Sequence, residues 1–307
     1  QLLSVWHTRF VISKTLLSPT EKKGIRVRVK IIGKNTGLGN QIQFIPFINE
    51  LKKTHEVISD SPVFNELGVL DKPSKESADI NIVLFGYSYK KFWKERKAGK
   101  GKFVGFKYRI KKKHIGLGYH TALTFNENLS EVENNRLLFN KVFSANVEKV
   151  DFSIAGKASV EKRVVIGISP KEEKTLQFDL WKAVIERLKS KGFEVQVVDH
   201  NIGVDEYVST KKLRDLKSTI GSAQYYLGTD SGPMHLADIL GIPSLVLFGS
   251  TDILKNGPQL AQSITYSRNL ACSPCFDWGR VNCPINFKCM DFSIDDIMMK
   301  FDQLCTQ

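Results

Sequence analysis

The feature that most constrains the fold is an alternation of strand, polar turn, helix and strand within residues 225–258. An apolar segment at residues 225–227 ends in a polar, glycine-bearing turn. Pro233 then stands where a helix can begin, because its missing N–H needs no acceptor there. The helix stops at Gly241, and a second apolar strand follows at residues 244–248. Such a turn exposes N–H groups at a helix N-terminus, which is a geometry that binds phosphate.

The length and composition are those of a globular protein with room for two cores. The chain has 307 residues, of which 42% are hydrophobic and 25% are charged, so we expect two domains. No segment approaches the roughly 18 consecutive apolar residues of a membrane span. Residues 1–24 lack a signal-peptide pattern. We therefore expect a cytoplasmic protein.

Strands alternate with helices in both halves of the sequence, which predicts two α/β domains with parallel sheets that face each other over a cleft. Residues 1–24 are expected to form an N-terminal arm or helix, residues 25–150 the first domain and residues 151–307 the second. The first domain is expected to contain strands at 25–32, 56–59, 80–85 and 103–108 and a helix at 131–143. The second is expected to open with a strand at 163–168, a helix at 178–190, a strand at 193–198 and a helix at 212–223.

The formal net charge is +13, from 45 Lys and Arg against 32 Asp and Glu, and it favours an anionic partner. Much of the excess lies in residues 90–113, where Glu95 stands among twelve basic residues and aromatic side chains are interleaved. A basic, aromatic-rich stretch suits an acceptor that carries phosphates. It suits an ordinary strand–helix unit with solvated lysines nearly as well.

The second half also carries a specific sequence motif. Residues 230–237 are DSGPMHLA, residues 240–243 are LGIP and residues 248–252 are FGSTD. Together they resemble the signature of the heptosyltransferase-type glycosyltransferases, glycosyltransferase family 9. The first loop, the segment EVENN at residues 131–135 and a cysteine-rich segment near the C-terminus resemble the family more loosely, and the resemblance covers about residues 25–300.

The resemblance implies the GT-B architecture, in which two Rossmann-like domains face a central cleft. The C-terminal domain would bind a nucleotide-diphosphate sugar, with ADP-heptose as the default donor, and the N-terminal domain would bind an anionic acceptor such as a lipopolysaccharide-core glycolipid. Transfer would invert the anomeric centre without a catalytic metal. Peripheral contact with the inner membrane face would follow from such an acceptor. A nucleic-acid or protein acceptor stays open, as does a nucleotide- or nucleic-acid-binding protein with impaired catalysis.

The resemblance also implies the donor contacts. A leaving nucleotide diphosphate develops charge that fixed N–H groups and cations must meet. Lys174 and Asp230 are the catalytic candidates in this half. Taken singly, Asp230 is better explained as a helix N-cap, Lys174 as a solvated loop residue and His235 as a buried helix residue, and only their combination favours a donor site. The expected donor-binding residues are Lys174, Thr175, Asp230, Ser231, Gly232 and His235.

The first loop departs from the family at Asn40. The family's loop usually carries Gly-Asp, whose carboxylate is the proposed general base, whereas this chain has Gly39-Asn40. An amide cannot take the proton. Asn40 is therefore expected at the catalytic site without a base role. Either Asp60, His114 or His120 serves as the base, or the acceptor is activated otherwise, or the protein binds without efficient transfer.

Four of the five cysteines are clustered with intervals of two, seven and five residues: Cys272, Cys275, Cys283 and Cys289. In a cytosolic protein this favours a structural zinc or iron ion held by four thiolates over disulfides. Such a site would be structural, because four thiolates leave no open position. The spacing is not a strong zinc-ribbon pattern, so disulfides and free buried thiols remain alternatives.

Overall fold

The computed structural model describes most of the chain as two α/β halves. The expected arm at residues 1–24 lies outside the described residues, as do the residues on both sides of the expected domain boundary, so the boundary at residues 150 and 151 stays a prediction. No helix in the described ranges is long and apolar enough to cross a membrane. The structure describes residues 27–110, 113–148, 154, 159–259, 262–276 and 283–307.

The first half is built on a five-stranded parallel sheet with an added antiparallel hairpin, β5–β6. Its strands are β1 (Arg28–Ile32), β2 (Glu56–Ser59), β3 (Ile80–Val83), β4 (Lys102–Phe106), β5 (Tyr108–Ile110), β6 (Lys113–Ile115) and β7 (Thr121–Leu123). Its helices are α1 (Leu38–Ile42), α2 (Ile45–Lys52), α3 (Pro62–Glu66), α4 (Tyr89–Ala98) and α5 (Glu131–Phe143).

The second half is built on another five-stranded parallel sheet. Its strands are β8 (Arg163–Ile168), β9 (Glu194–Asp199), β10 (Tyr225–Thr229), β11 (Ser244–Phe248) and β12 (Ile264–Ser267). Its helices are α6 (Phe178–Ser190), α7 (Leu213–Gly221), α8 (Gly232–Ile239), α9 (Ile253–Asn256) and α10 (Ile294–Cys305).

The two sheets have the same strand order, although the sequence shows no internal repeat. The orders are β2-β1-β3-β4-β7 and β9-β8-β10-β11-β12, so in each sheet the first strand lies between the second and the third. Crossovers therefore leave the first strand in opposite directions, and ligands of open α/β sheets bind at that switch point. The switch points lie at the carboxyl ends of β1 and β3 and of β8 and β10.

The two halves are packed against each other along the switch-point edges. One continuous apolar cluster joins the first half to the α7–α8 face of the second, while α6 and α10 cover the opposite face. Polar contacts support this packing, since the Leu213 amide donates to Glu66 Oε2 at 2.9 Å and Lys217 Nζ donates to the Leu67 carbonyl at 2.7 Å. The packing brings the two sets of switch-point loops together.

The basic stretch at residues 90–113 forms an ordinary layer of the first half. Phe92 and Phe103 are fully buried in a cluster with Tyr87, and Arg96 lies 5.2 Å from the centre of the Phe103 ring. The lysines on α4 face solvent. The interleaved aromatic residues are therefore largely core residues, which is the second of the two interpretations of this stretch.

Candidate active site

A cavity of about 480 Å³ lies between the two halves at their switch points. Its walls include residues 37–40 after β1, Phe85 after β3, residues 169–171 after β8, Asp199 at the end of β9 and residues 230–232 after β10. The polar groups of both sheets thus meet in one space. The sequence predicted a cleft of this kind, and the shared strand order explains why the two sets of loops face each other.

Lys174 and Asp230 form an ion pair in the wall of this cavity. Lys174 Nζ lies 2.7 Å from Asp230 Oδ2, and their side chains are only 14% and 6% exposed. The ring of Phe276 lies 4.8 Å from the ammonium group. A largely buried cation next to an open cavity can pair with an anionic ligand, and Asp230 holds it in position until then.

Helix α8 points its N-terminus into the same cavity. Ser231 is the N-cap but its side chain makes no capping hydrogen bond, and its Oγ is buried without a partner. Pro233 occupies the first turn of the helix. The N–H groups of this turn have no intrahelical acceptor, and the helix dipole adds partial positive charge. Together with Lys174, they form an anion site of the kind that phosphates occupy.

His235 lies one turn into α8 and is buried. Its Nε2 is 3.9 Å from Asp230 Oδ1 and 3.5 Å from Gln43 Nε2. The pKa of His235 is lowered to about 4, mainly by burial; the charge of Asp230 opposes the shift and the charge of Lys174 contributes to it. The imidazole is therefore neutral at pH 7 and offers a hydrogen-bonding group rather than a cation.

Asn40 lines the cavity from the first half. Its Nδ2 donates to the Phe85 carbonyl at 3.0 Å, which ties the loop after β1 to the loop after β3. Thr175 does not line the cavity, and its hydroxyl accepts a hydrogen bond from Trp181 Nε1 at 3.1 Å. Five of the six expected donor-binding residues thus meet in the cavity wall, while Thr175 supports the loop that carries Lys174.

The three side chains expected as alternative bases lie elsewhere. Asp60 Oδ1 accepts from the amides of Gly33 and Lys34 at 2.8 and 3.0 Å. His120 Nδ1 accepts from the Phe103 amide at 2.8 Å, and His114 is exposed on β6. None of the three lines the cavity.

Several wall residues were not among the site residues expected from the sequence. Phe276 is placed by Ser250, whose carbonyl accepts from the Phe276 amide at 2.8 Å and whose hydroxyl donates to the Glu173 carbonyl at 2.7 Å. Glu131, the first residue of α5, is buried in the cavity wall. Asp199 could have been predicted, because it ends a strand of a parallel sheet, and its backbone adopts a left-handed φ of 75°.

The four clustered cysteines lie near one another at the edge of the second half. Burial raises the pKa of the Cys275 and Cys289 thiols, and the neighbouring thiols add to the effect. Cys283 Sγ accepts a hydrogen bond from the Phe287 amide at 3.0 Å. Within the described residues, no group of three or more His, Cys, Asp or Glu stands in a metal-holding arrangement. As placed, the thiols do not form a ligand set, and a metal ion there stays a prediction.

The fold and the cavity define a GT-B glycosyltransferase architecture. The structure of the Escherichia coli heptosyltransferase WaaC with ADP superposes with a TM-score of 0.69 at 13% identity, covering 90% of this chain and 99% of that one. The E. coli ADP-heptose heptosyltransferase II gives 0.67 at 11% identity, covering 90% and 98%. The iron-containing dodecameric glycosyltransferase TibC from enterotoxigenic E. coli gives 0.61 at 15%, covering 92% and 76%. At these identities the likeness shows a shared fold.

Residues 76–285 match the family described as glycosyltransferase family 9 (heptosyltransferase), and the chain belongs to this family. The match begins after the first loop, so Asn40 lies outside it. Two curated relatives, both named lipooligosaccharide heptosyltransferase 2 and both from Campylobacter jejuni, are 27% identical over 111 residues and 29% identical over 94 residues. The matches span 35% and 30% of this chain and 34% and 28% of the relatives, which is about a third of their length.

Proposed function

We propose that the protein transfers a sugar from a nucleotide-diphosphate sugar to an anionic acceptor, with inversion at the anomeric carbon and without a catalytic metal. The observation that carries the proposal is the Lys174–Asp230 pair beside the N-terminus of α8, inside the cavity between the two halves. Both the cation and the helix N-terminus are fixed before the donor binds. Preorganised positive charge of this kind stabilises a leaving diphosphate as its charge develops.

The donor-side roles follow from the geometry. The amides of Ser231 and Gly232, together with Lys174, bind the diphosphate. Asp230 orients Lys174 and accepts from sugar or ribose hydroxyls when the cation turns to the phosphate. Neutral His235 hydrogen-bonds within the same pocket. Asn40 approaches from the other half and positions the acceptor.

The default donor is ADP-heptose and the default acceptor is a lipopolysaccharide-core glycolipid. Support comes from family membership and from the solved heptosyltransferase structures, which contain ADP in one case and ADP-2-deoxy-2-fluoro heptose in another. The names of the Campylobacter jejuni relatives specify lipooligosaccharide. Such an acceptor implies a cytoplasmic protein in peripheral contact with the inner membrane face.

The first half offers a place for an anionic acceptor. A pocket of about 180 Å³ next to the main cavity is lined in part by Phe85, Lys107 and Arg109, and Phe85 also lines the main cavity. Two cationic residues beside the transfer site suit a phosphorylated or carboxylated sugar. A nucleic-acid acceptor has less support, because Phe92 and Phe103 of the basic stretch are buried and cannot stack on bases.

A panel of nucleotide sugars tests the proposal. The midpoint of thermal unfolding should rise with ADP-heptose, because a ligand that binds only the folded state stabilises it. UDP-, GDP- and CDP-sugars serve as comparisons. Transfer to a truncated core glycolipid, to a protein or to an oligonucleotide then distinguishes the acceptor classes. Absence of any response to every nucleotide sugar would contradict the proposal, and binding without transfer would favour the catalytically impaired alternative.

A further inference from the structure

Sugar transfer to a hydroxyl group needs a proton acceptor, and the described residues of the first loop do not provide one. Asn40 occupies the position of the family's usual carboxylate, and its amide is engaged with the Phe85 carbonyl at 3.0 Å. An amide does not accept a proton at neutral pH. Asp60, His114 and His120 lie outside the cavity wall. The base, if this protein transfers sugar, has to come from another wall residue.

Three carboxylates line the main cavity: Asp230 is paired with Lys174, Asp199 ends β9 in the second half, and Glu131 is the one in the first half. It is 6% exposed, and its Oε1 is buried without a hydrogen-bond partner. It lines the main cavity and also a side chamber of about 250 Å³, and the two spaces share Phe85 and Phe276. An unpartnered buried carboxyl group costs free energy of folding. Because Glu131 lies at the junction of two cavities, a role in binding or catalysis can explain why the protein retains this destabilising group.

We propose that Glu131 is the general base that deprotonates the acceptor hydroxyl in this chain. The assignment rests on the proposed function. The Glu131 carboxylate takes the hydroxyl proton as the acceptor oxygen forms a bond to the anomeric carbon. The bond from that carbon to the phosphate oxygen breaks, and the nucleoside diphosphate leaves with the electron pair. Glu131 afterwards releases the proton to solvent.

The position of Glu131 fits a displacement from the face opposite to the leaving group. Glu131 belongs to the first half, whereas Lys174 and the N-terminus of α8 belong to the second half and form another part of the cavity wall. The groups that bind the leaving phosphate and the group that accepts the proton therefore belong to different halves. An inverting transfer needs this arrangement, because the acceptor oxygen attacks the anomeric carbon from the face opposite to the leaving group.

The start of α5 holds Glu131 firmly. Ser130 caps the helix by accepting from the Glu133 amide at 3.1 Å. Asn134 donates to the carbonyls of Asn126 and Ser130 at 2.9 and 3.0 Å and accepts from the Asn126 amide at 2.7 Å. These bonds fix the loop and the first turn, so the carboxyl group is positioned before the acceptor binds.

The surroundings of Glu131 also favour proton uptake. The pKa of Glu131 is raised to about 8, mainly by burial and in smaller part by the negative charge of Asp230. A carboxylate with such a pKa is a stronger base than an exposed one, and turnover should rise with pH through about 8. The charged and titratable groups that line the same two spaces are Lys171, Lys174, Asp199, Asp230 and His235 in the main cavity and Glu127, Asp252 and Lys255 in the side chamber.

The decisive variant is Glu131→Gln, which keeps the shape and removes the proton acceptor. Its kcat should fall by about 10²- to 10⁴-fold, the usual contribution of a positioned base, while ADP-heptose still raises the unfolding midpoint as in the wild type. The alkaline rise in the pH–kcat profile should disappear. Glu133→Gln is the matched control, because Glu133 lies on the same helix, pairs with Arg136 at 2.8 Å and does not line either space.

A second variant tests the role of Glu131 as a base by restoring kcat rather than by removing it. Adding Asn40→Asp to Glu131→Gln supplies a carboxylate in the family's usual position and should restore at least tenfold of the lost kcat. A kcat within threefold of the wild type in Glu131→Gln, or loss of donor binding in that variant, would overturn the base assignment in favour of no role or a structural one. If the proposed function is wrong, the result is different: the wild type itself neither binds nor transfers any nucleotide sugar. The base assignment is then also wrong.

Discussion

Gly39 of the first loop and His235 of helix α8 touch across the two halves, and the contact leaves no room for a side chain at residue 39. A Cβ atom there would lie 2.6 Å from His235 Cδ2 and 3.0 Å from Nε2. The imidazole is buried and cannot move aside as the end of a flexible chain would. The contact therefore sets how closely the first half approaches the second.

Gly39→Ala should separate the two halves or displace the imidazole. We expect an overpacking cost of about 1–3 kcal/mol in the free energy of unfolding and weaker donor binding, measured by urea unfolding and by calorimetry with ADP-heptose. Gly221→Ala is the control, because a Cβ there would lie 3.8 Å from Leu240 Cδ1 in ordinary contact. Equal donor affinity in the wild type and Gly39→Ala would show that the approach of the halves does not matter for the donor.

Lys174→Met should affect both stability and donor binding. It leaves Asp230 as an unpaired, largely buried carboxylate, and breaking a buried pair in this way costs about 3–5 kcal/mol. The rise in unfolding midpoint with a nucleotide sugar should be lost at the same time. Lys182→Met is the comparison, since Lys182 is half exposed and lies 3.7 Å from Asp179; exposed pairs of that kind contribute about 0–1 kcal/mol.

The double variant Lys174→Met with Asp230→Asn separates the two effects. Removing both charges leaves no buried ion without a partner, so most of the lost stability should return. Donor binding should not return, because the cation that meets the diphosphate is still absent. Recovery of donor binding in the double variant would show that Lys174 serves the fold alone.

Local sequence patterns predicted part of this structure well. The predicted helices at 131–143 and 178–190 and the strand at 163–168 are confirmed with the same bounds, because each has a clear apolar period and a polar or glycine boundary. The apolar residues of α5 are not buried equally: Val132, Leu138 and Val142 are buried, whereas Leu137 is 39% exposed. Which of them are buried depends on the surface that packs against the helix, and local sequence does not specify that surface.

The site was predictable only where a motif carried it. Lys174 and Asp230 are 56 residues apart, and their shared place at the donor site was expected from the resemblance to the family, whereas their ion pair was not expected. Thr175 was expected to contact the donor, but the fold directs its hydroxyl to Trp181. Glu131 belongs to the segment EVENN that resembles the family, but its burial without a partner was not expected, because it depends on how the two halves dock.

The pH dependence of stability should reveal the buried His235. Its pKa in the folded protein is about 4, compared with 6.5 for an ordinary histidine. Between these values the unfolded chain binds a proton that the folded protein does not, so His235 lowers stability as the pH falls from 6.5 to 4. His235→Gln should remove this loss, measured as the free energy of unfolding at several pH values. His114→Gln, at an exposed position of β6, should behave as the wild type.

Glu131 should act with the opposite sign. Its folded pKa of about 8 lies above the ordinary value of 4.5, so the folded protein holds a proton that the unfolded chain releases. The stability contributed by this proton is full below pH 4.5 and is lost as the pH rises through 8. Glu131→Gln should therefore be more stable than the wild type at pH 8.5, and the difference should vanish near pH 4. An equal difference at both pH values would contradict burial of an ionisable carboxyl group there.

The cysteine-rich segment gives a prediction about metal content. Cys272, Cys275, Cys283 and Cys289 lie close enough to raise one another's pKa but do not form a ligand set as placed. A zinc or iron ion would draw the thiols together as thiolates and lower these pKa values. Elemental analysis of protein purified without oxygen should then find about one metal ion per chain, as expected for a four-thiolate site.

Removal of that metal should loosen the wall of the donor cavity, because the segment after Cys275 carries Phe276, whose ring lies 4.8 Å from Lys174 Nζ. A chelator should lower the unfolding midpoint and the donor affinity of the wild type together. Cys275→Ser should reproduce both losses and no longer respond to the chelator, while Cys305→Ser, which changes the cysteine outside the cluster, should keep the metal. Protein with neither stoichiometric zinc nor iron, and with an unchanged midpoint after chelation, would show that the four thiols are free.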